Sequence, residues 1–221
     1  MIHPVSAEFF TKEDVDFAVK FLSKGDVIVY PTDTLYGLGC DIFKKDAVNR
    51  IYKIKKIPKR KPLSIICSDF KQLSEFATVS NSAFRIMKEL LPGPYTCILK
   101  ATNKVPKLLV SKQRTVGIRI PDSSFIKEVI DKFGHPIITT SLTNTDDNFI
   151  SEPTEIYHQY KYQIDVLFSA GTSSTLPSTV IDLTGNNPIL IREGFERATN
   201  NLVRDTFTVI ALLFYLIWLD W

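Results

Sequence analysis

The sequence has few cysteines and few histidines, three of each among 221 residues. The cysteines, at positions 40, 67 and 97, are odd in number and have no close pairing, which argues against a disulfide framework and favours a reducing cytosol. The histidines are scattered and show no metal-ligand spacing. We therefore expect a cytoplasmic protein without a zinc site.

The sequence also lacks a secretion signal and an apolar run long enough to cross a bilayer. The N-terminus has no basic segment followed by an apolar one. Residues 207–219 are apolar apart from Thr208, but these 13 residues fall short of the roughly 20 that a spanning helix needs. A core or interface helix, a short membrane anchor, and a terminus with no part in the function all remain open interpretations. We predict one domain over residues 1–200 and a separate apolar tail over 201–221.

A short strand-like run, residues 27–30, leads into a loop rich in hydroxyl groups. Pro31 has no N–H to donate and should end the strand. The following loop offers the hydroxyls of Thr32, Thr34 and Tyr36 and the carboxylate of Asp33, which either orders the loop or contacts a ligand. Glycines at 37 and 39 would let the backbone approach that ligand closely. The loop suits a small polar ligand.

The net charge of the whole chain is only +3, yet six of the nine residues from 53 to 61 are basic. Such a run is often no more than a solvated face. Here it lies between two predicted strands that are marked by prolines, so binding of phosphates or RNA is the other interpretation.

Segments with strand and helix patterns alternate along the chain, with no repeat, linker or low-complexity stretch between them. Helices are predicted near residues 12–25, 46–55, 69–76, 82–91, 124–130 and 153–160, and strands at 27–30, 63–67, 95–99, 116–120, 136–140, 166–168, 180–183 and 189–191. This alternation indicates an α/β domain with a mixed, twisted sheet covered by helices. Residues 170–177 have the small-residue composition of a mobile flap.

Seven spaced blocks resemble the YrdC/YciO family, whose members include the threonylcarbamoyl-AMP synthases of tRNA modification. The blocks occur in family order at residues 31–39, 61–63, 92–96, 115–121, 140–141, 178–182 and 191–194. The resemblance implies a YrdC-like single domain in which a twisted mixed sheet, flanked by helices, surrounds a basic concave cleft. It also implies an ATP-dependent nucleotidyltransferase that uses L-threonine and bicarbonate, with ATP as a substrate and magnesium expected beside it.

The family pattern places substrate-binding residues at particular positions of this sequence and implies no nucleophile or general base. The positions matched to threonine binding are Thr34, Arg119, Ser141 and Ser178. Those matched to nucleotide binding are Lys55, Lys61, Thr115, Thr143 and Arg192. The implied partners are tRNA or double-stranded RNA and other proteins of the tRNA-modification pathway.

Three positions depart from the synthase pattern and resemble the YciO branch of the family. Ile57 stands where the synthases have an arginine, Thr143 where they have an asparagine, and Ile66 where a histidine is usual. Lysines near Ile57 could replace the lost charge, although as point charges rather than as a guanidinium fork. Three functions are therefore weighed: a synthase that turns over slowly, an RNA-binding protein with vestigial activity, and a related ATP-dependent carbamoylation or hydrolysis.

Overall fold

The computed structural model describes residues 1–6, 9–59 and 61–195, which form a mixed α/β domain. The described residues include six helices: α1 Lys12–Lys24, α2 Lys45–Ile54, α3 Phe70–Phe76, α4 Asn81–Leu90, α5 Ser124–Phe133 and α6 Pro153–Tyr160. Their eleven strands are β1 Ile2–Pro4, β2 Ile28–Tyr30, β3 Gly37–Gly39, β4 Ser64–Ile66, β5 Ala77–Thr78, β6 Tyr95–Ala101, β7 Thr115–Arg119, β8 Ile137–Ser141, β9 Val166–Ser169, β10 Thr179–Asp182 and β11 Ile189–Arg192. The predicted fold class is confirmed.

All eleven strands belong to one sheet, in the order β1-β9-β2-β3-β8-β4-β7-β6-β10-β11, with β5 paired to β6. The pairs β1–β9, β2–β9, β4–β7 and β6–β10 are parallel, and the other pairs are antiparallel. β1 and β11 stand at the two ends of this order, and each pairs with one described strand.

Helices cover both faces of the sheet. Since successive side chains of a strand point to opposite faces, one strand can contribute to the core on each side. In β2, Val29 belongs to the apolar cluster that includes α2, α3, α4 and α6 residues, whereas Ile28 and Tyr30 belong to the cluster under α1 and α5. The two clusters divide the core between the faces of the sheet.

Local sequence signals explain where several helices begin. Thr11 caps α1 with a complete capping box, in which its hydroxyl accepts the Asp14 N–H and the Asp14 carboxylate accepts the Thr11 N–H. Asp69 and Ser80 cap α3 and α4 in the simpler way, through one side-chain acceptor each. These starts agree with the predicted helices.

Strand β3 corrects the interpretation of its glycines as points of close ligand approach. A side chain at Gly37 would lie 2.6 Å from Cε2 of Tyr30, and one at Gly39 would lie 2.4 Å from the Ile138 carbonyl oxygen. The fully buried Tyr30 ring fills this space and donates a hydrogen bond to the Ile138 oxygen at 3.1 Å. The glycines are therefore required by packing inside the sheet.

The apolar tail and the predicted domain boundary at residue 200 lie outside the described residues, so both stay predictions. Within residues 1–6, 9–59 and 61–195, no helix is long and apolar enough to cross a membrane. The three cysteines are buried free thiols, and burial raises the pKa of each well above its ordinary value.

Candidate substrate-binding cleft

A cleft of about 1150 Å³ lies on the sheet face that α1 and α5 cover only in part. Ile66 and Ile137 pack under these helices, whereas Ser64 and Thr139, two residues away on the same strands and the same face, line the cleft. The same alternation on β7 sends Gly117 and the side chains of Thr115 and Arg119 into the cleft and leaves Val116 and Ile118 in the core. The cleft floor is thus the uncovered part of the sheet.

Arg119 anchors one end of the cleft through three hydrogen bonds to protein acceptors. It is 6% exposed; Nη1 donates to the Thr34 hydroxyl at 2.8 Å, Nε donates to the Gly93 carbonyl at 3.3 Å, and Nη2 pairs with the Asp33 carboxylate. Burial lowers the pKa of the Arg119 guanidinium, and Asp33 acts against this effect. Of the five guanidinium N–H groups, two remain for a ligand.

Arg192 lies near Arg119, on the edge strand β11. Its Nε and Nη2 donate to the Ser178 carbonyl at 3.2 and 2.8 Å, and the Ser178 hydroxyl lies 2.9 Å from the Thr96 hydroxyl. Partial burial and the neighbouring Arg119 both lower the pKa of Arg192. Two neighbouring cations of this kind attract an anion such as a carboxylate or phosphate.

A lysine-rich wall forms another side of the cleft. The half-buried Lys55 donates from Nζ to the Thr143 hydroxyl at 3.3 Å, and the exposed Lys56 and Lys61 also line the cleft. Burial and the charge of Lys61 lower the pKa of Lys55, while Asp147 opposes them. The lining of the cleft is therefore basic, as the resemblance implied.

Two side chains of α6 hold the Thr143 backbone in place. The Tyr160 hydroxyl and the Gln159 amide donate to the Thr143 carbonyl oxygen at 2.5 and 3.1 Å. These bonds leave the Thr143 hydroxyl pointing to Lys55.

The structure brings together eight of the nine predicted site residues, which line this cleft: Lys55, Lys61, Thr115, Arg119, Ser141, Thr143, Ser178 and Arg192. Thr34, the ninth, is buried and touches the site through its hydrogen bond to Arg119. The Thr115 hydroxyl lies 2.6 Å from that of Ser111, at the rim. Asp33 orders the site through Arg119.

No site role was predicted for several residues of the cleft, including Ser64, Thr96, Thr139, Gln159 and Tyr160, although Thr96 lies within the family block 92–96. The signal that could have found the first three is a hydroxyl residue at an alternating position of an otherwise apolar strand. A side chain at Gly117 would lie 2.6 Å from the Ser64 hydroxyl oxygen, so glycine keeps the floor flat there. Gln159 and Tyr160 lie on α6, where no local pattern separates them from surface or core residues.

The three departures from the synthase pattern differ in their position. Ile57 and Thr143 line the cleft, so each changes its chemistry directly. Ile66 is fully buried in the cluster under α1 and α5 and is paired with Arg119 across β4 and β7. Of the three, Ile57 and Thr143 are therefore the ones that change what a ligand meets.

The loop 170–177, which has the composition of a flap, is bonded to the segment that carries Thr34. The Tyr36 hydroxyl donates to the Gly171 carbonyl at 2.5 Å and accepts from the Ala170 N–H at 2.9 Å. The Ser174 N–H donates to the Thr34 carbonyl at 3.1 Å. These bonds link Thr34 to the loop that leads into Ser178.

Comparisons with known proteins agree with this architecture. The family of Sua5, YciO and YrdC, described as "Telomere recombination", matches residues 20–194. YciO of Escherichia coli is 40% identical over 195 residues, which are 87% of this chain and 93% of that protein. Its crystal structure covers 90% of this chain and 98% of its own, with a TM-score of 0.85.

Two relatives carry names that describe a ligand or product. A threonylcarbamoyl-AMP synthase of Vibrio vulnificus is 29% identical over 180 residues, 80% of this chain and 96% of that protein. The crystal structure of Pyrococcus abyssi Sua5 complexed with L-threonine is 28% identical, with a TM-score of 0.82 over 88% of this chain and 57% of that longer one. Since the family match and the 40% identical relative each extend over most of the sequence, this chain belongs to the Sua5/YciO/YrdC family.

Proposed function

We propose that this protein is an ATP-dependent nucleotidyltransferase that makes threonylcarbamoyl-AMP for the modification of a tRNA adenosine. Its substrates are L-threonine, bicarbonate and ATP. The observation that carries the proposal is the charge layout of one cleft, where Arg119 and Arg192 lie on the sheet floor and Lys55, Lys56 and Lys61 form a separate wall. The two groups of cations suit an amino-acid carboxylate and a triphosphate.

The chemistry asks for charge neutralisation rather than for a protein nucleophile. The threonine amine displaces water from bicarbonate to give a carbamate, and a carbamate oxygen then attacks the α-phosphorus while the bond to the leaving pyrophosphate breaks. Two anions must therefore meet, and fixed cations and hydroxyl donors lower that barrier by alignment and electrostatics. The relatives named threonylcarbamoyl-AMP synthase, and the Sua5 relative with L-threonine, support this assignment.

Arg119 is the group proposed to hold the threonine carboxylate. Its two uncommitted N–H groups can form a bidentate pair, and Thr34 and Gly93 hold its plane in place. The Ser178 and Ser141 hydroxyls lie along the same floor, where they can bond the polar groups of the amino acid.

Magnesium would enter with the nucleotide rather than occupy a protein site. Among the described residues that line the cleft, Asp147 is the one carboxylate. A single carboxylate can give magnesium one protein ligand, and magnesium that is bound in this way relies on substrate phosphates for the others. The lining fits a magnesium–ATP complex of this kind, in which the metal neutralises phosphate charge.

Release of pyrophosphate tests the proposal. The full chain, with magnesium, ATP and bicarbonate, should release pyrophosphate when L-threonine is added, and omission of bicarbonate should abolish that release. The same reaction with L-serine tests whether the methyl group is read. Pyrophosphate release that is independent of both threonine and bicarbonate would make the protein a nucleotide hydrolase instead.

A second candidate function, RNA binding, is favoured by three exposed lysines, of which Lys56 lines the cleft and the other two lie outside its lining. Lys53, Lys56 and Lys59 are exposed on and just after α2. Exposed cations of this density bind nucleic-acid phosphates in a salt-dependent way. Replacing these three lysines by glutamine should weaken binding of a double-stranded RNA and flatten its salt dependence.

A matched control removes the same charge from another helix, α1. The exposed lysines of α1 are Lys12, Lys20 and Lys24. Replacing these three by glutamine should leave RNA binding unchanged. Equal losses in both triple variants would show that only the net charge matters and would remove this candidate.

A further inference from the structure

Edge strand β11 leaves an apolar surface open to solvent. Ile189, Leu190 and Ile191 are 57%, 39% and 56% exposed, although all three are large and apolar. One side of β11 pairs with β10, and no described strand pairs with its other side. Edge strands are usually protected by charges, prolines or a covering element, because a bare apolar edge recruits another chain. We call residues 189–191 the edge surface.

The sequence beyond the described residues contains an apolar segment of matching character. Residues 207–219 have twelve apolar side chains and one threonine. The intervening residues 196–206 can span up to about 36 Å when extended, at roughly 3.3 Å per residue. A folded domain of this size has a radius of gyration of about 16 Å. The apolar segment can therefore reach the edge surface, which ends only a few residues before the described part does.

We propose that residues 207–219 bind the edge surface of the same molecule and bury it. Both partners are apolar, so their contact removes both from water. The short tether also gives the segment an effective concentration in the millimolar range, far above that of a second copy in dilute solution. These two facts favour the segment of the same chain over another molecule as the occupant. Since Ile191 also lines the cleft, the bound segment would border the substrate site.

The tryptophans of the chain provide a probe that reports on this segment alone. The sequence has two tryptophans: Trp218 lies within the segment, and Trp221 follows its last residue by two positions. In the full chain at low concentration, their emission should be blue-shifted relative to free tryptophan and protected from acrylamide. The double variant Ile189→Lys with Ile191→Lys should shift the emission to that of free tryptophan and remove the protection.

The opposite edge of the same sheet supplies the matched control. Ile2 is 42% exposed on β1, so Ile2→Lys introduces one lysine of the same kind at the other end of the strand order and should leave the emission unchanged. Far-ultraviolet circular dichroism establishes that each variant is folded. If the lysine pair prevents folding, Ile189→Thr with Ile191→Thr keeps β-branched residues and should give a smaller red shift in the same direction.

Three results would overturn the proposal. The first is tryptophan emission that stays the same in the double variants at positions 189 and 191. The second is a blue shift that appears only as the protein concentration rises, with a dimer in sedimentation velocity, which would make a second copy the occupant. The third is a blue shift that appears only with vesicles of phosphatidylcholine and phosphatidylglycerol, which would make a lipid surface the occupant.

Discussion

Replacing Arg119 by lysine separates the charge of this residue from its shape. Lysine keeps the positive charge but cannot reach all three acceptors that the guanidinium contacts, namely Asp33, Thr34 and Gly93. An ammonium that stays with Asp33 leaves the Thr34 hydroxyl and the Gly93 carbonyl without their donor. The loss of two hydrogen bonds in a buried site should lower the free energy of unfolding by about 1–3 kcal/mol.

The same change should weaken threonine binding, because the bidentate fork for its carboxylate is lost. We expect a loss of about 1–3 kcal/mol, or roughly five- to 150-fold in the dissociation constant for L-threonine measured by isothermal titration calorimetry. Arg114→Lys is the control, since Arg114 is exposed and its guanidinium bonds to Asn103. That variant should bind threonine normally. If Arg119→Lys also bound threonine as tightly as the wild type does, the carboxylate site would lie elsewhere.

Three further changes test other parts of the account. Ile57→Arg with Thr143→Asn should raise threonine-dependent AMP transfer in single-turnover assays by about ten- to a hundredfold, because the new bonds to phosphate strengthen in the transition state. No gain would mean that the nearby lysines already supply the charge that the arginine would add. Because the pKa of Lys55 is lowered, its contribution to ATP affinity should be present at low pH and disappear as the pH rises through that lowered pKa, whereas Lys55→Arg should keep the affinity at higher pH; parallel titration curves would contradict this. Gly39→Ala should lower the free energy of unfolding by about 1–3 kcal/mol through overpacking against the Ile138 carbonyl and the Tyr30 ring. Gly185→Ala, whose Cβ would meet no atom nearer than 3.9 Å, should lower it by less than about 0.5 kcal/mol; equal denaturation midpoints would contradict the packing argument.

Local sequence signals predicted most of the fold because most of its elements are locally encoded. The starts of α1 and α3 follow from caps at Thr11 and Asp69, and β2 ends where Pro31 removes a donor. Strand β3 could not be predicted, since Gly-Leu-Gly has little strand propensity of its own. It is a strand because the Tyr30 ring and the neighbouring β2 and β8 hold it there.

The candidate site was predicted as a set of residues but not as a geometry. The family pattern identified eight of the residues that line the cleft, yet the pairing of Asp33 with Arg119 joins positions 86 residues apart and depends on the sheet order. The contact of Lys55 with Thr143 is equally remote in sequence, at 88 residues. Such pairs arise when β4, β7 and β8 lie side by side, which no local pattern records.

The most direct test of the central claim is identification of the product itself. The full chain is incubated with L-threonine, magnesium–ATP and ¹³C-labelled bicarbonate, and the nucleotides are analysed by mass spectrometry. The account predicts threonylcarbamoyl-AMP that carries one ¹³C atom, in an amount equal to the pyrophosphate released, and much less of it from Arg119→Lys. Formation of ADP or AMP without a labelled adduct would contradict the account.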